Sequence, residues 1–456
     1  MDLKSLAVSP LAEIQARARV TIHFEFLTQA THRIKGARVS AIPSLSVAAD
    51  EPLTTATAFD HVYEAALTDA EVGTVGIELE THLVDLAAPA ERVAWHRIEQ
   101  ALPAVKTAAR TSAVTFEPGG QLELSSLPAS GVVAAIDGLR LDEQRVRLVL
   151  ADYDLGLAHV GCDPIRSVAR VNPRSRYQAM EQHYRSTGQS EAGLTMMCAT
   201  AAMQVNLQAG KSGQWSERVA LAHALGPVFI AIAANSSLLS GTKTQWKSLR
   251  RRVWSALDPH SCAPLDWTDD PAASWTSFAL QAPATLVSRA DGGIDPVGMY
   301  VPFLHWVTGA VRLGGRRPTI NDLQTHLSTL FPPVRLRGYL EIRYLDTVGP
   351  RWWPAVAAAL TTLIDVPTAA DAAADIAEET ATLWETAAEF GLADERLARA
   401  AQRCMEIAAA HAPTELRFAV EDLASLVAQR RCPGDEFADR VDDIGALAAF
   451  EELARA

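Results

Sequence analysis

The sequence lacks the signals that mark several large classes of protein. Its 456 residues include five cysteines, an odd number without a Cys-x-x-Cys pair, so we predict neither a disulfide framework nor a cysteine zinc site. It has no uninterrupted apolar run of about 18 residues, the length that a membrane-spanning helix needs. It also lacks a basic start followed by an apolar stretch, which argues against a secretory signal. These absences favour a reduced, cytoplasmic protein outside the membrane.

Basic residues are in the minority, and the formal net charge is -13 at pH 7. No stripe of basic side chains with interleaved aromatic residues is present, so we predict no nucleic-acid partner.

The familiar motifs of nucleotide binding and nucleophilic catalysis are missing too. There is no Walker-type glycine-lysine loop, no Gly-x-Gly-x-x-Gly turn before a helix and no Gly-x-Ser-x-Gly elbow. Any nucleotide chemistry must therefore use another arrangement of side chains.

Residues 1–55 differ from the rest of the chain. They show little sustained hydrophobic periodicity and end in AADEPLTT, which is typical of a linker. We therefore predict a poorly ordered or peripheral N-terminal extension at residues 1–55 and a single domain at 56–456. Alanine-rich segments with helical spacing from residue 352 onward predict that the C-terminal part of this domain consists of helices.

Strands and helices alternate irregularly after the extension, which predicts an α+β fold with an antiparallel sheet. The predicted strands lie within residues 72–85, 112–126, 196–210 and 332–346. One long helix is predicted between Ser130 as its N-cap and Gly156 as its C-terminal stop. A second, buried helix is predicted at residues 216–239.

Each predicted strand places polar side chains on one face and apolar side chains on the other. In GIELE, for example, Glu78 and Glu80 alternate with Ile77 and Leu79. Acidic and amide side chains on the polar faces, or just before them, are Glu78, Glu80, Glu117, Glu123, Gln204, Asn206 and Glu341. Taken singly, each polar face is more typical of the solvent side of a sheet. Taken together they crowd carboxylates, and directly opposed like charges destabilise paired strands by about 0.2–1 kcal/mol.

Cations between the carboxylates would offset this repulsion. Carboxylate oxygens without a cysteine or histidine cluster suit hard ions, Mg²⁺ or Mn²⁺. Arg335, Arg337 and Arg343 share the face of Glu341, and guanidinium groups bind phosphate oxygens and stabilise a transferring phosphoryl group. We therefore predict an ATP- and Mg²⁺-dependent phosphoryl-transfer site inside a curved antiparallel sheet.

The order and spacing of several motifs give the chain a family resemblance. The motifs are GIELE, FEPGGQLELS, RYQAM, GLTMMCATAAMQVNL, AIAANSSLLSG, SLRRRVWSALDP and FPPVRLRGYLEIRYLD, within residues 72–350. With them the sequence resembles the glutamate–cysteine ligases of the plant and proteobacterial type, most closely the actinobacterial ligases of ergothioneine synthesis. The resemblance implies a fold like the catalytic domains of glutamine synthetase and the guanido kinases, a funnel-shaped antiparallel sheet with helices outside.

The resemblance also implies roles for individual residues. The implied metal ligands are Glu78, Glu80, Glu117, Glu123 and Glu341. Gln204 and Asn206 are implied to contact nucleotide phosphate, the metal or glutamate, and Arg335 and Arg337 are assigned with them to cofactor binding. Arg250 is expected to hold the α-carboxylate of glutamate, and Arg343 is expected to stabilise the γ-phosphoryl group.

The implied reaction joins the γ-carboxyl group of L-glutamate to the amine of L-cysteine, with ATP and Mg²⁺, through a γ-glutamyl phosphate. The product would be γ-glutamylcysteine for ergothioneine or a related thiol, made by a monomer or weak homodimer in the cytoplasm. Two alternatives stay open. One is a ligase on the same fold that joins glutamate to another amine. The other is a non-catalytic nucleotide-binding or regulatory protein, which would be expected to have lost one or more acidic positions.

Overall fold

The computed structural model describes residues 51–456. The extension predicted at residues 1–55 lies outside the described residues except for residues 51–55, and both it and the predicted domain boundary stay predictions. The first described helix begins at Thr55. It is capped by Thr54, whose hydroxyl oxygen accepts a hydrogen bond from the backbone N–H of Thr57 at 3.1 Å.

An antiparallel sheet lies at the centre of the described chain. The strands are β1 (Thr74–Asp85), β2 (Ser112–Phe116), β3 (Leu122–Ser126), β4 (Ala129–Ser130), β5 (Leu155–Ala158), β6 (Ala202–Gln208), β7 (Leu238–Leu239), β8 (Thr242–Lys243), β9 (Leu286–Ser288), β10 (Ile294–Pro296), β11 (Val334–Leu336) and β12 (Tyr339–Asp346). The main sheet has the order β11-β12-β6-β1-β3-β2, with β4 and β5 also paired to β1. All these pairings are antiparallel. The predicted α+β fold is confirmed.

Helices surround this sheet and make up most of the C-terminal part, as predicted. They are α1 (Thr55–Ala66), α2 (Trp95–Ala108), α3 (Val132–Ala151), α4 (Ser175–Ser186), α5 (Ser190–Ala199), α6 (Trp215–Ala224), α7 (Gly226–Ile232), α8 (Leu249–Ser255), α9 (Pro259–Cys262), α10 (Pro271–Gln281), α11 (Phe303–Thr308), α12 (Ile320–Leu327), α13 (Trp353–Asp365), α14 (Pro367–Glu378), α15 (Trp384–Phe390), α16 (Glu395–His411), α17 (Thr414–Ala428), α18 (Pro433–Ile444) and α19 (Ala446–Arg455).

Period-two alternation gives the main sheet one apolar and one polar face. In β1, Ile77 and Leu79 are buried in the hydrophobic core, whereas Glu78 and Glu80 point to the opposite face and are only partly covered. α3 packs on β1 and β3, and α13 packs on β6 and α3. Because this layer removes the apolar face from water, it supplies the main stabilisation of the sheet and leaves the polar face available for a site.

The segment predicted as one strand at residues 332–346 is a hairpin, so that prediction was wrong. β11 ends at Leu336, and the chain turns at Gly338, where φ is +81°. Glycine adopts this left-handed conformation without the steric cost that a side chain would bring. The return of the chain places Arg335 directly opposite Glu341. The polar side chains therefore stay on one face, and these two come into contact.

The strand predicted at residues 196–210 begins later than expected. Residues 196–199 form the end of α5, and β6 begins at Ala202. The run Met-Met-Cys-Ala at 196–199 is uniformly apolar and buried. Hydrophobic periodicity cannot distinguish a buried strand from a buried helix in such a short run.

Both predicted long helices also have different limits. The helix predicted at residues 216–239 is divided into α6 and α7, with Pro227 in the first turn of α7, because proline provides no backbone N–H to continue the preceding helix. Gly131, not Ser130, occupies the N-cap position of α3, and Gly156 lies in β5 instead of ending the helix.

The described residues contain unpaired thiols and no single helix of membrane-spanning length and hydropathy. All five cysteines are free and buried. Within residues 51–456, no single helix is long and apolar enough to cross a membrane. The bent pair α13 and α14 passes that test by length and composition alone, with a bend of 97° between its halves.

The turn before β3 generates a prediction about stability. A Cβ atom at Gly119 would overlap the backbone carbonyl oxygen of Cys198, and overpacking of this kind costs about 1–3 kcal/mol. Gly119→Ala is therefore expected to lower the free energy of unfolding by that amount in urea denaturation.

Gly213→Ala is the matched control, since no atom of the described residues lies within 4 Å of a Cβ atom built there. Replacing glycine at such an open position is expected to leave stability unchanged or to raise it slightly. Equal unfolding midpoints for the two variants would contradict the packing described at Gly119.

Candidate active site

A cavity of about 280 Å³ lies on the polar face of the main sheet. Every residue predicted for the site lines it except Asn206. These lining residues are Glu78, Glu80, Glu117, Glu123, Gln204, Arg250, Arg335, Arg337, Glu341 and Arg343. Asn206 is next to them, because its side-chain amide donates a hydrogen bond to Glu78 Oε1 at 2.9 Å. The structure thus brings together residues that are up to 265 positions apart in the sequence, from Glu78 to Arg343.

A second cavity, of about 390 Å³, is larger but chemically different. It is lined by residues that include His183, Asp258, Cys262 and Tyr300, and its lining contains no arginine or lysine. The phosphates of a nucleoside triphosphate would have no arginine or lysine to bind in that lining, whereas five arginines line the cavity on the sheet. We therefore assign the candidate active site to the smaller cavity.

Strand pairing places three of the carboxylates. Glu78 and Glu80 project from β1, and Glu123 on β3 lies directly opposite Glu80. The hydroxyls of Thr115 and Ser125 each donate to Glu123 Oε1 at 2.9 Å. Burial raises the pKa of Glu123, and the negative charge of Glu80 adds to this effect. The pairing therefore fixes like charges next to each other within the site.

Burial and neighbouring charges act on the two β1 carboxyls as well. Burial raises the pKa of Glu78 to about 7, with further contributions from Glu341 and Glu123. Burial also raises the pKa of Glu80, although Arg250 opposes the shift. The backbone N–H of Ala202 donates to Glu80 Oε2 at 2.7 Å. These carboxyls are held in place by the fold although their charges are unfavourable there.

Glu117 comes from the turn between β2 and β3. The turn is closed by a hydrogen bond from the Glu117 N–H to the Gln121 carbonyl at 2.9 Å, and Gly120 has a φ of +86°. Burial raises the pKa of Glu117 well above its ordinary value, and Glu123 and Glu80 raise it further. Among the described residues, none donates a hydrogen bond to its carboxylate. Glu117 is therefore the carboxylate most available to a ligand.

Two amide side chains on β6 link the acidic strands to the arginines. The Gln204 amide nitrogen donates to Glu80 Oε1 at 3.3 Å, and its oxygen accepts from Arg343 Nη1 at 2.5 Å. Asn206 donates to Glu78, and its Oδ1 atom is buried without a hydrogen-bond partner among the described residues. Buried oxygens are rarely left unpaired, so Asn206 Oδ1 is a candidate acceptor or metal ligand.

Glu341 differs from the other carboxylates because arginines already neutralise it. Its two oxygens accept from Arg335 and Arg343, with Arg335 Nη2 at 2.9 Å and Arg343 Nη1 at 3.2 Å, and Arg337 Nη1 lies at 3.1 Å. Burial alone would raise its pKa, but Arg335 and Arg343 outweigh burial and lower it far below the ordinary value. Glu341 anchors the arginines, and the metal-ligand role predicted for it stays a prediction.

Arg250 reaches the same cavity from α8. It is buried, and its Nη2 donates to the backbone carbonyl of Arg343 at 2.9 Å. Burial lowers its pKa, and the nearby Asp346 and Glu80 carboxylates oppose that effect. Its Nε atom has no hydrogen-bond partner within the described chain. Arg250 therefore keeps a donor for an anionic ligand.

Sequence reasoning missed one polar wall of the cavity. Arg176 and Tyr177 line it from α4, and Arg176 Nη2 donates across the cavity to Ser328 Oγ at 2.8 Å. Burial raises the pKa of the Tyr177 hydroxyl, and Glu117 adds to the shift. Both residues belong to the motif RYQAM, which was a family landmark without an assigned role.

An apolar wall was also missed. Met180, Met196, Met197, Trp254 and Phe331 line the same cavity. Trp254 lies four residues after Arg250 on α8, a spacing that places both side chains on one helix face. That spacing was a usable signal for Trp254. The methionines gave no signal, because buried apolar residues of this kind are far more often core.

The oxygen atoms that line the cavity suit a Mg²⁺ ion that keeps some of its water ligands better than a metal ion bound by protein ligands alone. Within residues 51–456, no group of three or more histidine, cysteine, aspartate or glutamate side chains converges on one point as a ready metal site. The carboxylates and Asn206 Oδ1 are hard oxygen donors, and burial together with neighbouring carboxylates raises the pKa values of Glu78, Glu80, Glu117 and Glu123, although Arg343 opposes the shift in each. Mg²⁺ usually keeps several waters and takes phosphate oxygens together with one or two carboxylates.

The sequence is similar to those of two bacterial glutamate–cysteine ligases. The chain is 47% identical over 397 residues to glutamate–cysteine ligase EgtA of Mycolicibacterium smegmatis, which covers 87% of this chain and 93% of that protein. It is 48% identical over 387 residues to glutamate–cysteine ligase EgtA of Mycobacterium tuberculosis, with 84% of this chain and 90% of that protein covered.

A solved structure shares the fold at low sequence identity. It is a glutamate–cysteine ligase from Francisella tularensis in complex with AMP, with a TM-score of 0.53, 16% identity and coverage of 85% of this chain and 88% of that chain. The family model described as glutamate–cysteine ligase family 2 matches residues 74–449. That match takes in the main sheet and every residue predicted for the site, and the chain belongs to glutamate–cysteine ligase family 2.

Proposed function

We propose that the protein joins the γ-carboxyl group of L-glutamate to the amine of L-cysteine, with conversion of ATP to ADP and phosphate. The observation that carries the proposal is one buried face with two kinds of charge. Four carboxyls with raised pKa values, Glu78, Glu80, Glu117 and Glu123, lie beside arginines that Glu341 anchors. Such a face suits a ligand that carries both divalent cations and phosphates.

The acidic part of the cavity would hold Mg²⁺. We assign Glu78, Glu80, Glu117 and Glu123 to this role, with Asn206 Oδ1 as a further oxygen donor; Glu341 is a weaker fit because its oxygens already accept from arginines. Bound there, Mg²⁺ would supply charge neutralisation on the phosphate oxygens of ATP. Mn²⁺ prefers the same oxygen donors and is an alternative ion.

The arginines would act on the groups that transfer. Arg343 Nη1 donates to both Gln204 Oε1 and Glu341 Oε2, so the guanidinium is already oriented and would need little reorganisation when charge develops on the γ-phosphoryl group. Arg335 and Arg337 extend the same positive surface toward the other phosphates. Arg250, with its unpartnered Nε, would hold the α-carboxylate of glutamate.

The reaction then needs no protein nucleophile. The γ-carboxylate of glutamate attacks the γ-phosphorus of ATP, and ADP leaves. The neutral cysteine amine attacks the carbonyl carbon of the resulting γ-glutamyl phosphate, and as the amide forms the phosphate leaves as HPO₄²⁻ with the proton that the amine loses. The chain's part is to orient the two acceptors and to exclude water, since an acyl phosphate would otherwise hydrolyse.

The amine substrate is the least constrained part of the proposal. Met180, Met196, Met197, Trp254 and Phe331 form a soft apolar wall beside the charged face, and thioether and aromatic groups suit contact with a thiol-bearing side chain. Another small amine would leave the acidic and arginine residues unchanged. A purely regulatory role would not require an intact acidic face, and all five predicted glutamates are present.

We also propose a use for the product, a cellular compartment and an oligomeric state. The identity to two EgtA ligases supports a product that serves ergothioneine or a related low-molecular-weight thiol. The free, buried cysteines agree with a reducing cytoplasm. We propose a monomer or weak homodimer, which sedimentation of the purified protein would decide.

The direct test is product identification. Purified protein is incubated with Mg²⁺, ATP and L-glutamate, and ADP release is compared between L-cysteine and a panel of other amines. We expect cysteine-dependent release and a product with the mass of γ-glutamylcysteine. Release with another amine and none with cysteine would reassign the substrate, and no release with any amine would refute ligase activity.

Glu117→Gln separates the catalytic role of the acidic face from its role in folding. Because burial and like charges disfavour the ionised carboxyl, which accepts no hydrogen bond from residues 51–456, we expect an unchanged or higher Tm. We also expect kcat/KM to fall by more than about 100-fold. Mutation of a residue that only hydrogen-bonds to a metal ligand commonly costs 10–100-fold in metal affinity or activity, and loss of a ligand itself should cost more. Glu64→Gln, on the exposed side of α1, is the control and should change neither quantity. Full activity in Glu117→Gln would remove Glu117 from the site.

The pKa of Glu78 gives a pH dependence. Its folded value of about 7 lies above the ordinary 4.5, so the folded protein keeps a proton that the unfolded chain has already released between those pH values. This proton contributes to the free energy of unfolding. The contribution is present below the pKa of Glu78 in the unfolded chain and is lost as the pH rises toward 7.

Binding of a cation needs the ionised carboxylate. We therefore expect Mg²⁺–ATP to raise the Tm more at about pH 8 than at about pH 6, with release of protons on binding. Glu78→Gln should reduce this difference, as measured by scanning fluorimetry at both pH values. Equal Tm shifts at the two pH values in the unmodified protein would rule out Glu78 as the titrating ligand.

A further inference from the structure

A fully buried carboxylate behind the cavity joins three separate segments of the chain. Asp346, the last residue of β12, is 1% exposed and does not line the active-site cavity. It accepts hydrogen bonds from the Asn235 backbone N–H at 2.9 Å, the Ser236 hydroxyl at 2.6 Å and the Ser248 hydroxyl at 3.0 Å. Asn235 and Ser236 follow α7, whereas Ser248 is the N-cap of α8.

The two serines connect this carboxylate to the first turn of α8. Ser236 Oγ accepts from the backbone N–H of Arg250 at 3.0 Å, and Ser248 Oγ accepts from that of Arg251 at 3.3 Å. Each hydroxyl therefore donates to Asp346 and accepts from an N–H that has no partner within the helix. These hydrogen bonds cap the first turn of α8 and tie its start to Asp346.

Asp346 also faces the side chain that α8 carries into the cavity. Its Oδ1 atom lies 3.9 Å from Arg250 Nη1, and both side chains are buried. Arg250 Nη2 is held by the Arg343 carbonyl, and Arg250 Nε is left without a partner in the described chain. The Arg343 carbonyl and the Asp346 carboxylate thus hold one edge of the Arg250 guanidinium. Burial of this guanidinium without a counter-charge would cost free energy.

Packing around Asp346 leaves room for this arrangement only because of a glycine. A Cβ atom at Gly161 would lie 2.7 Å from the Asp346 Cγ atom. The backbone N–H of Gly161 donates to the Asn235 carbonyl at 2.8 Å, which ties the same segment to the cluster. The motifs NSS and SLRRRVW, which are close in the sequence, therefore meet the distant motif YLD at one carboxylate.

We infer that Asp346 is a positioning residue for Arg250, acting through Ser236 and Ser248 on the helix and directly on the guanidinium. Asp346 does not touch substrate; it sets where Arg250 can meet the α-carboxylate of glutamate. The inference deepens the proposed function and rests on it. It predicts a larger effect on glutamate binding than on nucleotide binding, because the hydrogen-bond partners of Asp346 are Asn235, Ser236 and Ser248 and do not include the side chains of Arg335, Arg337 or Arg343.

Asp346→Asn is the first test, with KM measured for glutamate, ATP and cysteine. We expect the KM for glutamate to rise by about tenfold or more, since small displacements of a positioning group cost up to 10²-fold, while the KM values for ATP and cysteine stay near those of the unmodified enzyme. Asp142→Asn is the control: it removes another buried carboxylate, which accepts from the backbone N–H groups of Arg110 and Thr111 outside the cavity. It should leave all three KM values unchanged.

A merely structural role would give a different pattern. A glutamate KM equal to that of the unmodified enzyme, or equal increases in all three KM values, would overturn the inference. If Asp346→Asn fails to fold, Ser236→Ala and Ser248→Ala decide the question. Each removes one connection and is expected to raise the glutamate KM by a smaller factor, and no rise in either variant would also overturn it.

A double-mutant cycle with Arg250→Lys tests the route of the effect. If Asp346 acts through Arg250, its substitution should add little in the Arg250→Lys background, and additive effects on the glutamate KM would contradict this. Stabilisation by glutamate is measured alongside as a Tm shift, which needs no amine substrate. An unmodified protein that binds glutamate but makes no γ-glutamylcysteine would refute the proposed function, while a normal glutamate KM in active Asp346→Asn would refute only the positioning role.

Discussion

Repulsion among closely spaced, partly buried carboxylates is the constraint on which the rest of this structure depends. Glu80 and Glu123 lie directly opposite each other on paired strands, with Glu78 and Glu117 beside them, and burial raises the pKa of each. Nothing in the folding of the sheet requires this arrangement. The apolar side of the same strands, covered by α3 and α13, provides the stabilisation that offsets it. Such local cost is typical of functional sites, where the surrounding structure holds groups in unfavourable positions.

The cavity divides into an acidic part and a basic part, and the two are built differently. On β1, β3 and the preceding turn, the carboxylates have few positive neighbours. On the β11–β12 hairpin and α8, the arginines are each tied to an internal anion, Arg335 and Arg343 to Glu341 and Arg250 to Asp346. The amides of Gln204 and Asn206 lie between the two parts. A ligand that brings cations to one part and phosphates to the other would complete both.

Much of this site could be predicted because strand alternation is a local property. Glu78, Glu80 and Glu123 follow directly from period-two patterns, and the structure brings them together on one face. The turn at Gly338 was not predictable in the same way, because the polar alternation of Arg335, Arg337 and Tyr339 continues through it. Arg176 and Tyr177 reach the cavity from a helix whose pattern gives no direction, and the contact of Asp346 with α8 depends on tertiary packing that no local pattern encodes.

The most direct measurement follows the oxygen atoms of glutamate. L-glutamate labelled with ¹⁸O in its γ-carboxyl group is incubated with the protein, Mg²⁺, ATP and L-cysteine, and the released phosphate is examined by mass spectrometry. Attack of the γ-carboxylate on ATP predicts that one labelled oxygen passes to phosphate for each amide formed. Phosphate without label, in a reaction that still forms γ-glutamylcysteine, would contradict the acyl phosphate and with it the role given to the charged face.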